Sequence, residues 1–458
     1  MNWVLAHFAA VTITFFALAA VAVILQQRRT PQSTAAWLLF IILLPYVATP
    51  LFLALGFRKR GKRFTPIRFG QASTLAPETP ATGIESIFAH HGIPAASKGN
   101  QLELLTSGAQ AHNALSSLCR SAEHSLDVLF YLIADDPVGR GFLHELTERA
   151  RAGVRVRVIM DRLANLKPPR AALGALRDAG GRVVYFSPLL QRPDSGHLNL
   201  RNHRKMVIAD STAVFAGGMN IGHEYMGPFP DPTRWSDLAY LLTGPATASF
   251  NDVFRSDWTT AKGGDDLTTT PVPPAPSLAA GSARVQLVPS GPDTAGDPLH
   301  DALVSAIHRA KQRVWIVTPY FLPTDALNTA LMIAAKRGVD LRIMLPEKSN
   351  QPLADFARGA YLREMQNSGC RILFYQPGMI HAKAGLIDGF AYVGSANFDI
   401  RSMLLNFESA LFIHDDATLT ALAGWYQDRA KDCVVGVPPA GPLRRMSQGI
   451  FRLGAPVL

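Results

Sequence analysis

"HRKMVIAD" at residues 203–210 and "HAKAGLID" at residues 381–388 share one skeleton: His, one residue, Lys, four residues, Asp. Three fixed residues in a chain of 458 carry little weight alone. Their surroundings change that. Each copy is followed by a turn of small residues ending in Asn, "GGMN" at 217–220 and "GSAN" at 394–397. Upstream, "NALSSLCRSAEHSLDVLFYLI" (113–133) matches "DALVSAIHRAKQRVWIVTPYFL" (301–322), each an amphipathic helix leading into an apolar strand. "ARAGVRVRVIMD" (150–161) matches "AKRGVDLRIMLP" (335–346), and "DAGGRVVYFSP" (178–188) matches "NSGCRILFYQP" (367–377). A repeat of about 180 residues is too long for a solenoid, so the pattern predicts a duplicated domain. Helices alternate with strands in each half, which makes the fold class α/β, two duplicated sandwich lobes with mixed sheets forming one site.

The apolar alternation in each motif predicts a strand with His203 and Lys205, or His381 and Lys383, on one face. Asp210 and Asp388 complete the catalytic set at the strand ends, where they are expected to hold the frame more than touch substrate. Small residues in the following turns let backbone amides approach an anion. A phosphodiester repels nucleophiles, so Lys205, Lys383, Asn220, Asn397 and the Ser395 hydroxyl would neutralise it and hold its oxygens. One neutral imidazole can then attack phosphorus while the other, protonated, serves the leaving alkoxide. An attacking His is best oriented by a carboxylate on its other ring nitrogen. Asp237 in "RWSDLAYLLTGPA" and Glu408 in "NFESALF" are the candidates, each assigned to the motif it follows, so that His381 closes on Glu408. Lysines supply the positive charge, so no metal or other cofactor is expected. The second hairpin should be one residue tighter, because five residues separate Asp388 from "GSAN" and six separate Asp210 from "GGMN".

Trp3–Leu25 and Ala35–Phe57 are each 23 residues without Asp, Glu, Lys or Arg. At helical rise each spans about 34 Å, enough for a bilayer core, so a transmembrane helical hairpin is expected. Pro45 and Pro50 would kink the second span or make it re-entrant. Arg28 and Arg29 lie between the spans, whereas Arg58, Lys59, Arg60, Lys62 and Arg63 follow the second, which places the remainder on the cytoplasmic side. The expected domains are 1–63, hairpin and basic segment; 64–100, connector; 101–262, first lobe; 263–283, linker; and 284–458, second lobe and tail. With 45 Lys and Arg against 35 Asp and Glu the net charge is +10, which favours anionic partners. Cys119, Cys370 and Cys433 have neither disulfide nor zinc spacing and read as ordinary residues. His90 and His91 read as a polar linker, and His223 as an unpaired loop residue.

The duplicated motif with its trailing turns resembles the phospholipase D superfamily, and longer stretches resemble bacterial cardiolipin synthases. These include "RRTPQSTAAWLLFIILLP", "LNLRNHRKMVIAD", "GGMNIGHEY", "TPYFLPTDAL", "YQPGMIHAKAGLID", "GSANFDIRSMLLNFE" and "FRLGAPVL". His223 in "GHEY" departs from that pattern, standing where the synthases usually have an acidic residue. The resemblance implies a bacterial inner-membrane enzyme that moves a phosphatidyl group from one phosphatidylglycerol to another, giving cardiolipin and glycerol. His203 would carry the phosphatidyl group and His381 would act as acid, then base, although the two motifs are too alike to settle the roles. A hydrolytic phospholipase D using water differs only in the acceptor. A nuclease would use the same groups, but the apolar hairpin argues against a nucleic-acid partner, and a catalytically inert scaffold would not need both motifs.

Overall fold

The computed structural model describes residues 2–26, 31–56, 64–70, 83–187, 200–262 and 281–453. The first amino-terminal span is a helix over the expected stretch, and the second is interrupted at Pro45 and so is not one straight span. Helix α1 (Asn2–Gln26) is continuous and its 24 residues from Trp3, mostly apolar and without Asp, Glu, Lys or Arg, are long enough to cross a bilayer. The second span is two helices, α2 (Pro31–Leu43) and α3 (Pro45–Leu55), broken at Leu44. Pro45 has no N–H to continue the ladder and its ring crowds the preceding turn, while its fixed φ suits the first position of a new helix. Trp37 and Phe52 meet with ring centroids 5.2 Å apart. Fifteen residues of straight helix would separate them by about 22 Å, so α2 and α3 fold back on each other. Ala20 and Ile24 of α1 pack with Trp37, Ile41, Ala48 and Phe52 in a small core.

Among the described residues the two lobes share a sheet of 15 strands. From its centre, the first lobe runs Ser97–Leu105, Ala239–Thr243, Ala213–Gly217, Met206–Ala209, Ser125–Phe130, Arg155–Asp161, Arg182–Phe186. The second lobe repeats that order outward from Ala283–Ser290 and adds an edge strand, Cys433–Val435. Ser97–Leu105 and Ala283–Ser290 pair antiparallel across an irregular register and join the halves. Strands Ser125–Phe130, Arg155–Asp161 and Arg182–Phe186 are parallel while the motif strand is antiparallel to its neighbours, so each half is mixed.

Both sheet faces are covered. In the first lobe Leu115, Phe142, Leu143 and Leu176 pack helices on one face, while Phe250, Phe254 and Trp258 pack helix Thr247–Thr260 on the other. Met206 and Ile208 enter the core shared with the second lobe, and Val207 and Ala209 enter the first lobe's own core. Burial on both faces explains why this strand is apolar throughout.

The segment 64–100, read as a connector, is partly built into the body. Phe64 stacks edge-on against Phe407, and Ile67 N–H donates to Asp293 O. Helix Ile84–His90 docks on the second lobe through Phe88 against Phe412. His91 is no free linker residue: Nδ1 lies 2.6 Å from Ala295 O and Nε2 3.3 Å from Asp301. The linker expected at 263–283 lies outside the described residues except at its last three positions, and strand Ala283–Ser290 begins within it.

Candidate active site

Strands Met206–Ala209 and Ala384–Ile387 begin just after Lys205 and Lys383, so the motif His and Lys stand in the extended segments feeding the strands and not within them. The reason is that these segments pair with the other lobe. Asn202 bridges Phe407, and Ser236 bridges Ile380, both parallel. His203 N–H donates to Phe407 O at 2.8 Å, and His381 N–H donates to Ser236 O at 2.7 Å.

That pairing corrects the assignment of the orienting carboxylates. Glu408, one residue past Phe407, brings Oε1 to 3.2 Å from His203 Nδ1. Asp237, one residue past Ser236, brings Oδ2 to 2.6 Å from His381 Nδ1. Each imidazole is therefore faced by the carboxylate of the opposite lobe. Reading along the sequence pairs each His with the carboxylate that follows it; the bridge between lobes reverses the choice.

Ser395, expected on phosphate, instead donates to Glu408 Oε2 at 2.6 Å and accepts from Ser409 N–H. Its counterpart is Gly218, where an added Cβ would sit 2.4 Å from Asp237 Oδ1. The shorter Asp needs the turn closer, and only glycine leaves that room. Lobe two supports its Glu with a hydroxyl; lobe one makes space for its Asp.

Lys205 and Lys383 are each 3% exposed. Lys205 Nζ donates to His203 O at 2.5 Å, and Lys383 Nζ donates to His381 O and lies 2.9 and 3.0 Å from the two ring nitrogens. Burial lowers Lys205 to about 8 against the pull of Glu408 and Asp237. Burial, assisted by Lys205 and opposed by Asp237, lowers Lys383 to about 7. Burial first, then Lys383, lowers His381 to about 4, so its imidazole is neutral at rest. Burial works against ionisation of Asp237, yet His381 and Lys383 hold its carboxyl below the usual range; His203 and Lys205 do the same for buried Glu408. The mutual influence of these groups places both motifs around one charged centre.

Asn220 accepts from Leu132 N–H at 3.3 Å, and Asn397, 5% exposed, has an unpaired side-chain oxygen. Asp210 and Asp388 are set apart from this centre. Asp210 accepts from the N–H groups of Glu123, His124 and Ser125, and Asp388 from those of Lys311, Gln312 and Arg313. Four strand residues separate each from its lysine, a Cα span of about 17 Å. Both adopt positive φ in the hairpin turn, 49° and 45°, which Asp tolerates better than most residues. Their inclusion among catalytic groups is thus corrected: they fix the turn that opens the neighbouring strand. Loop Asp210–Thr212 is one residue longer than loop Asp388–Gly389.

The family described as "Cardiolipin synthase, PLD-like domain" matches residues 115–258 and 303–430, and that described as "Phospholipase_D-nuclease N-terminal" matches residues 15–56. The chain belongs to the cardiolipin synthase family, within the phospholipase D superfamily. It is 32% identical over 456 residues to the probable cardiolipin synthase YwiE of Bacillus subtilis (strain 168), covering 94% of this chain and 90% of that one. Against the cardiolipin synthase of Geobacillus kaustophilus it is 31% identical over 411 residues, covering 86% and 81%. A solved phosphatidylserine synthase from Haemophilus influenzae Rd KW20 is similar in fold alone, with TM-score 0.60 at 15% identity over 81% of this chain and 98% of that one.

The synthase site also contains groups that sequence reading missed. Tyr131 stacks edge-on to His203 at 4.2 Å, and Tyr225 and Trp235 lie 5.3 and 5.2 Å from the His381 ring. Tyr131 follows strand Ser125–Phe130, and Tyr320 follows the matching strand Arg313–Val317, a repeat signal that could have flagged both. Arg204, between His203 and Lys205, is wholly buried and meets Asp257 at 3.0 Å and Asp293 at 2.7 Å, one carboxylate from each lobe. Its Nε donates to Glu408 O at 3.1 Å. His223 is not unpaired: its Nε2 lies 3.4 Å from Asp231.

Proposed function

We propose that this enzyme transfers a phosphatidyl group between two phosphatidylglycerol molecules, releasing glycerol and forming cardiolipin through a phosphatidyl-histidine. The observation that carries the reading is the crossed arrangement: two imidazoles, each held by the opposite lobe's carboxylate and each beside a buried lysine. In the first step His203 Nε2 forms a bond to phosphorus, the bond to the glycerol oxygen breaks, and His381 gives that oxygen its proton. In the second, His381 takes the proton from the hydroxyl of a second phosphatidylglycerol, whose oxygen displaces His203. Lys205, Lys383, Asn220 and Asn397 hold the phosphodiester oxygens, and Glu408 and Asp237 fix the ring tautomers. An anion arriving beside the lysines offsets their charge, the smaller contribution after burial to keeping His381 neutral, and so favours the protonated acid.

Family membership and the apolar α1 imply membrane association. We place the catalytic body on the cytoplasmic side. α2 and α3 form a re-entrant hairpin in this reading, and the basic residues that flank it in the sequence, Arg28 and Arg29 before and five at 58–63 after, accord with the positive-inside rule.

Incubating the enzyme in membranes with labelled phosphatidylglycerol, without added metal or nucleotide, tests the reaction. Labelled cardiolipin with equimolar glycerol is expected. Phosphatidic acid alone would show that water is the acceptor, and absence of turnover would remove the transferase reading.

A further inference from the structure

In the C-terminal helix Pro442–Leu453 the large apolar side chains that are described, Leu443 and Met446, face outward. It packs on helix Pro352–Asn367 through Gln448, which is 3% exposed and fills space above Gly359. Leu443 and Met446, about 140° and 160° around the helix from Gln448, are 79% and 63% exposed. Nearby, Leu353 is 55% exposed, and Val434 and Val435 of the sheet's edge strand are 56% and 59% exposed. This apolar rim is set among cations. Arg363 is lowered by burial and then by Arg445 and Arg444, with Glu364 a lesser opposing charge. Lys348, Arg358, Arg363 and Arg444 outnumber Glu347 and Asp355 in a cavity of about 590 Å³ also lined by Leu362, Phe374 and Val434, and Asp355 is paired with Arg358. Among the described residues neither Arg444 nor Arg445 has a carboxylate partner.

We propose that this face rests on an anionic phospholipid surface, with Leu443 and Met446 at the acyl boundary and the cavity's cations on headgroup phosphates. Exposed apolar residues flanked by basic ones are the pattern of an interfacial helix. A second copy of the chain is the poorer occupant, because a two-fold contact sets the same patch against itself and would oppose cation to cation. The described residues of α1–α3 pack among themselves in their own core, so this second contact would fix how the catalytic body sits against the bilayer. It does not depend on the chemistry proposed at His203 and His381.

The test uses the full chain carrying C433S and M446C, with an environment-sensitive fluorophore on residue 446, since Cys119 and Cys370 are buried. The protein is placed in nanodiscs of phosphatidylcholine, with or without phosphatidylserine, an anionic lipid outside the proposed reaction. A blue shift and quenching by acyl-chain nitroxides are expected only with phosphatidylserine. R363Q, R444Q and R445Q should each lower the membrane-inserted fraction roughly fivefold. Water-exposed emission in both compositions would overturn the proposal, as would a blue shift in neutral discs that grows with protein concentration, which would assign the face to a second copy. Transfer measured on short-chain lipid in detergent should be unchanged in the three Gln variants, so failure here is separable from failure of the reaction.

Discussion

Asp237 and Glu408 each face the histidine of the lobe they do not belong to, and an amide at either position removes the charge that fixes a ring without altering its size. We expect D237N and E408Q each to lower kcat about 100-fold with little change in KM. In ¹⁵N-histidine spectra D237N should move the His381 ring signals and leave those of His203, the reverse of the pairing that sequence order suggests. The lysines give a pH prediction. Lysine is cationic below its pKa, and burial brings Lys383 to about 7 and Lys205 to about 8, so anion attraction in the free enzyme weakens as pH rises through that window. kcat/KM should therefore fall from pH 7 to 9, and a profile flat over that range would contradict it. Asp210 acts differently. D210A removes the acceptor for three backbone N–H groups and should cost about 2 kcal/mol of stability in thermal unfolding, with specific activity of the folded fraction retained. The residue types and their duplication were legible in the sequence because chemistry constrains them. Their partners were not, because hydrogen bonds between lobes leave no trace in spacing.

At the scale of elements, strands and helices of the lobes follow from apolar periodicity, and the repeat even foretold the tighter second hairpin. The second membrane span followed only in the kinked form that Pro45 suggested, not as a full crossing. A window of 23 uncharged residues reads as a crossing, but the break at Leu44 leaves helices of 13 and 11 residues, about 20 and 17 Å long. Neither reaches across a hydrocarbon core of about 30 Å. In the proposed topology, with α1 the one helix among the described residues long and apolar enough to cross, the amino terminus and the catalytic body lie on opposite sides of the membrane. A cysteine placed at residue 2 should react with an impermeant maleimide from the periplasmic side, whereas one placed in the exposed Glu103 position should react only after the membrane is opened. Labelling of both from one side would restore two crossings.

Across the whole molecule, the continuous sheet joins the lobes at one edge, yet the site depends on contacts well away from that seam. The buried cluster at Arg204 is the strongest of these: Asp257 comes from lobe one, Asp293 from lobe two, and the guanidinium reaches the Glu408 carbonyl between them. The second motif carries Ala382 at the matching position, so the clasp is not duplicated. Burying these charges is costly, and removal of one partner leaves the others uncompensated. R204A should therefore destabilise the body by about 3–5 kcal/mol, more than loss of an exposed ion pair such as Arg151 with Glu148. R204M, paired with D257N and D293N, removes the charges together and should recover much of that stability while leaving the Glu408 carbonyl without the Arg204 side-chain donor. Transfer would then remain impaired in a folded enzyme, with the deficit in kcat. Recovery of full activity along with stability would show that Arg204 joins the lobes without positioning the carboxylate that faces His203.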